Sequence, residues 1–124
     1  MEATINSTLF DRIGGKPAVT AAVDIFYRKV MADFRVSHFF SHIDMKKQSG
    51  MLKTFMAYAF GAPIAYNGKS MQEAHKHLYI TEMHFNAVAG HLVETLRELN
   101  VDQPLIDEVV SVVMTTKNDI VNPS

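Results

Sequence analysis

The chain has 124 residues, 48% of them hydrophobic, with a net charge of −1. That length fits one domain with its own core, and the near-neutral balance leaves no electrostatic footprint for nucleic acid or an anionic membrane. The absence of cysteine excludes disulfides, thiolate zinc sites and iron–sulfur clusters.

Residues 1–8 read as a flexible N-terminal arm, and residues 9–122 as a single domain. The arm lacks the basic region and apolar core of a signal peptide. No apolar run is long enough to span a bilayer, so the expected location is the cytoplasm. Leu9 to Ile13 has the apolar spacing of a short helix, which Gly14-Gly15 should stop. Pro17 suits the first turn of the next one. Val19, Ala22, Val23, Phe26, Tyr27, Val30 and Met31 then form a stripe of period 3.6, which predicts a helix over 17–32. Tyr27 lies in that stripe. Its ring belongs to the core, and its hydroxyl either meets water at an edge or projects into an internal pocket.

Asp33 to His42 should hold a helical turn or two, with Phe39-Phe40 packing a corner at its end. Asp44 is an N-cap for a helix that carries Gln48, Met51, Leu52, Phe55, Met56 and Ala59 on one face. Gln48 is the polar member of that apolar stripe; it faces either solvent or a pocket. Gly61-Ala62-Pro63 ends the helix, and Ile64 to Gly68 is expected to be a loop. Ser70 and Glu73 then have the spacing of a capping box, so a short helix should begin near Met71. On it, Met71, Ala74, His75 and Leu78 share one face. An inward imidazole there is either a core histidine bonded to a backbone carbonyl or a ligand for a metal or a haem iron.

Thr81 caps a helix with Phe85, Val88, Ala89, Leu92, Leu96 and Leu99 on its apolar stripe. His84 and His91, seven apart on it, would need further ligands to chelate a metal and read as exposed or satisfied histidines. Asn100 breaks the pattern. Asp102 is the expected cap of a final helix with Pro104 in its first turn and a wide valine-rich face reaching Val113. Residues 122–124 are a tail. The fold class is therefore all-α, with about five main helices.

Few chemistries survive this layout. There is no βαβ unit, phosphate loop, zincin motif or serine elbow. His75 and His77 diverge on a helix. His38 and His42 share a helical face but lack nearby carboxylate or cysteine partners. What remains is His75 with Tyr27 and Gln48, in a chain with eight Met and eight Phe. Met and Phe make an ordinary core or the walls of a pocket for a flat apolar ligand. A haem site needs these parts; a plain helical bundle has them too.

Taken in order, Leu9-Phe10-Asp11-Arg12-Ile13-Gly14-Gly15, Phe26-Tyr27, Phe39-Phe40, Asp44-Met45-Lys46-Lys47-Gln48, Tyr66-Asn67-Gly68-Lys69-Ser70-Met71, His75, His84-Phe85 and Val88-Ala89-Gly90-His91-Leu92 resemble the truncated haemoglobins of the cyanobacterial and protozoan group. The resemblance covers Leu9 to about Asn122. It implies a truncated globin fold, a two-over-two helical sandwich around non-covalent haem b. It implies His75 as the proximal iron ligand, Tyr27 as the distal donor to bound oxygen, Phe40 stacked on the haem and Gln48 as a second distal group. Leu52, Met71, Leu78 and Phe85 are expected to complete the apolar walls, and Lys47 and Lys69 are the expected propionate partners from their placement beside the distal and proximal helices.

The chain also departs from its relatives. Many have a second distal glutamine where Leu52 stands, and some have an iron-coordinating histidine where Met51 stands. Some bind haem covalently through a histidine near the C-terminus, where this chain has Thr115-Thr116-Lys117. The family's second Gly-Gly is Gly61-Ala62. The implied activity is reversible binding of O2, and of NO and CO, for oxygen transport or storage by a monomer. The alternative is nitric oxide dioxygenation, which would need an external reductase; a non-haem helical interaction module is a third reading.

Overall fold

The structure, a computed structural model, describes residues 8–62, 75 and 78–121. Residues 1–7 of the N-terminal arm, the loop over residues 64–68, the Ser70–Glu73 capping box and the tail of the sequence reading lie outside these residues, while Thr8, read as the end of the arm, is described and caps the first helix.

Helix α1 spans Leu9–Ile13. The Thr8 hydroxyl accepts from the Asp11 amide while the Asp11 carboxylate accepts from the Thr8 amide, a reciprocal cap. Gly14 ends α1 at φ 121°, and α2 runs Gly15–Met31. A Cβ on Gly14 would lie 2.8 Å from that of Ala18. Gly14→Ala thus meets both a left-handed backbone and a clash, and should lose roughly 1–3 kcal/mol of stability, measured by denaturant unfolding. An unchanged midpoint would contradict this account.

Past α2, a 3₁₀ turn covers Ser37–Phe40. Asp44 caps α3, Met45–Ala59, accepting from the amides of Lys46 and Lys47. Gly61 stops that helix at φ 95°, with the β-carbon of Thr8 close by. Ala62 does not take a positive φ, so alanine at this position carries no backbone strain.

Helix α4, Glu82–Glu98, starts at the expected Thr81 cap. Helix α5, Gln103–Met114, starts where the sequence places it, with Pro104 in its first turn. Asp102 occupies the N-cap but its side chain makes no cap bond. The helix carries the whole valine-rich face to Val113 and ends one residue beyond it. The hydroxyls of Thr115 and Thr116 donate to the carbonyls of Val112 and Val113, each at 2.6 Å. Such local bonds compete with the helical ladder. The chain resumes as α6, Lys117–Ile120, tied back to the start of α4 by the Lys117–Glu82 ion pair.

Helix α2 packs on α3 and on α4, and α4 packs on α5; α1 bridges α2 and α5. The result is two layers of two helices. The stripe read from sequence on α2 is its buried face from Val19 to Val30, with Val23 and Val30 fully covered, but its last member, Met31, is exposed at the helix end. Val36, Ile106 and Val109 join them in the same core. At the periphery, Arg12 makes a two-pronged pair with Glu108, which ties α1 to α5. Among the described residues no helix is long and apolar enough to cross a membrane.

Candidate functional site

Helices α2 to α6, the 3₁₀ turn, His75, Leu78 and Ile80 line a cavity of about 320 Å³. Sites for small molecules and cofactors run from roughly 300 to 1,000 Å³. Its lining is overwhelmingly apolar. Tyr27 from α2 and Gln48 from α3 meet on one wall. The same helical periodicity that buries Phe26 and Val30 turns Tyr27 inward, leaving it 7% exposed.

The Gln48 side-chain amide donates to the Tyr27 hydroxyl at 3.2 Å. This bond decides both open questions from the sequence: the hydroxyl projects into the pocket, and Gln48 faces it there. Burial pushes the Tyr27 phenol above its ordinary pKa, outweighing the opposing effect of the Gln48 bond. Tyr27 therefore keeps its proton at neutral pH. Since its oxygen already accepts from Gln48, that proton is available for donation into the cavity.

Phe40 lines the cavity and meets the Tyr27 ring edge-on, with centroids 5.6 Å apart. His75 is in helical backbone, its carbonyl accepts from the Leu78 amide at 3.0 Å, and its side chain lines the cavity. Leu52, Leu78 and Phe85 line it as well. Lys47 is exposed on the first turn of α3 and is not part of the lining. Met71 and Lys69 lie outside the described residues.

The sequence reading missed the cavity's C-terminal wall. Val112, Val113, Thr116 and Ile120 contribute to it from α5, α6 and the turn between them. Their i, i+1, i+4, i+8 spacing was a usable signal. Met51 is in the lining too. So is His84, which also accepts the Thr81 amide at 3.1 Å as the reciprocal half of the α4 cap. His91 points elsewhere: its Nε2 lies 2.7 Å from Asp33, beneath an open groove on another face. The bonds from Arg35 and His91 hold the Asp33 carboxyl far below the usual carboxylate range.

The bacterial-like globin family model matches residues 8–122. The group 1 truncated haemoglobin GlbN of Synechocystis is 44% identical, over 94% of this chain and 98% of its own. That of Tetrahymena pyriformis is 41% identical, over 91% and 93%. The crystal structure of the Tetrahymena protein in its Fe(III) form superposes with a TM-score of 0.91 at 39% identity, covering 94% of this chain and all of that one. A Synechococcus 2/2 haemoglobin, solved in the cyanomet state with covalently attached haem, gives 0.90 at 47% identity over the same shares. With a matched family model spanning the domain, relatives this similar over nearly full length and the two-layer helical fold in common, the chain belongs to the bacterial-like globins, among the group 1 truncated haemoglobins.

Proposed function

We propose that the chain reversibly binds oxygen for transport or storage, using non-covalent haem b. The observation that carries this reading is that His75, Tyr27 and Gln48 line one apolar cavity. The donor set fits the group: an imidazole, no thiolate anywhere in the chain, and walls that exclude water. When bound, haem held by one imidazole offers a position for O2, NO or CO.

The remaining work falls to the chain's own residues. His75 anchors the group from its segment. Phe40, Leu52, Leu78 and Phe85 cover its faces with apolar surface. Tyr27 presents its proton to the ligand, and Gln48 holds the phenol in place through the 3.2 Å bond. Leu52 supplies no second donor. Residues Thr115 to Lys117 supply no imidazole for a covalent link, which supports a cofactor held by packing and coordination alone.

Absorption spectra of the ferric, ferrous and carbonmonoxy forms test the reading. The expected result is a Soret band, a five-coordinate ferrous spectrum and pigment that moves wholly into acidified organic solvent. A colourless protein that takes up no added hemin overturns it. Sustained nitric oxide consumption with an added reductase would instead favour dioxygenation.

A further inference from the structure

Five polar side chains line the cavity among the described residues: Tyr27, Gln48, His75, His84 and Thr116. Tyr27 and Gln48 bond each other, and the Thr116 hydroxyl donates to the Val113 carbonyl. His75 is the anchor. His84 is left without a role in the function proposed above.

Its ring is held from two sides. Nδ1 accepts the Thr81 amide proton at 3.1 Å. Phe39 packs against the ring edge-on, with centroids 5.0 Å apart and planes at 84°. A nitrogen that accepts a hydrogen bond carries no proton, so the cap fixes the tautomer: Nδ1 is the acceptor and Nε2 bears the hydrogen. The helix cap thus turns His84 into a donor of fixed position on the wall of an apolar cavity.

A haem b brings two carboxylates to that cavity. A carboxylate pressed against apolar walls without a donor is costly, and one with an N–H donor gains a charge-assisted bond. We infer that His84 anchors a carboxylate of the bound porphyrin, donating to it from Nε2. The inference rests on the haem reading above. It assigns the carboxylate contact to a residue on α4, distinct from the exposed Lys47 on α3.

The test compares loss of hemin with loss of hemin dimethyl ester, whose carboxylates are blocked, from the full chain into excess apomyoglobin. His84→Glu is the informative variant. Glutamate at this third helical position is the usual reciprocal partner of a Thr cap, so the fold keeps its helix start while the donor becomes a repelling charge. His84→Gln keeps both the cap acceptor and an N–H donor. His84→Glu should speed hemin loss roughly tenfold and leave ester loss within about twofold, with His84→Gln close to the parent for both. Equal acceleration for hemin and ester, or no acceleration of either, overturns the inference. A parent chain that takes up neither compound would instead overturn the haem reading.

Discussion

His75→Ala is expected to abolish the five-coordinate ferrous spectrum and to release hemin much faster than the parent. Losing an outer-shell partner of a metal ligand typically costs about 10–100-fold in affinity, and losing the ligand itself should exceed that. His84, the other imidazole on the cavity wall, is tethered to the Thr81 amide and does not stand in. Far-UV circular dichroism of the variant should stay helical, because the main core of α2, α4 and α5 does not include His75. His75→Gly should recover the parent spectrum when free imidazole is added. A ferrous spectrum unchanged in His75→Ala would refute the assignment of the ligand.

Tyr27→Phe is expected to speed oxygen release roughly tenfold while leaving carbon monoxide release nearly unaltered. The substitution keeps the ring that packs against Phe40 and Phe26 and removes only the hydroxyl. A hydrogen bond contributes about 1 kcal/mol net, more when the acceptor carries charge, and ~1.4 kcal/mol is a factor of ten. Oxygen draws electron density when it binds and so rewards a donor; carbon monoxide does so far less. Gln48→Leu should give a smaller effect in the same direction, and the double variant should fall short of the sum, since the two groups act through one bond. Stopped-flow release rates measure this. Identical oxygen release in Tyr27→Phe and parent would remove Tyr27 from the mechanism.

How far the sequence led depends on the range of the interaction. Caps at Asp44 and Thr81 were legible because they are local, set by residues within three positions. Helical periodicity placed Tyr27 and Gln48 on the apolar faces of their helices but left open whether their polar ends meet solvent or a pocket. Their bond was not, because it joins positions 21 apart on two helices whose packing no spacing rule supplies. The role of His84 stayed hidden for a different reason: histidine is an unusual reciprocal partner for a threonine cap, where Glu or Gln is the familiar signal. Asp102 shows the converse, a good cap residue at the right place whose side chain makes no cap bond. The break after α5 was not legible, because it is made by the hydroxyls of Thr115 and Thr116, which donate back to the Val112 and Val113 carbonyls just beyond the last valine of the pattern.

That break has a consequence for how the molecule loads. An unbroken helix would make the C-terminal wall of the cavity one body with the α5 face that buries Ile106 and Val109. Instead the wall ends in a four-residue segment, joined by a turn and tied down by the half-exposed Lys117 and exposed Glu82. Segments with few buried contacts open at a fraction of the global unfolding free energy. On that ground a fluctuation confined to α6 would open the C-terminal wall to a cofactor while α2, α4 and α5 stay folded.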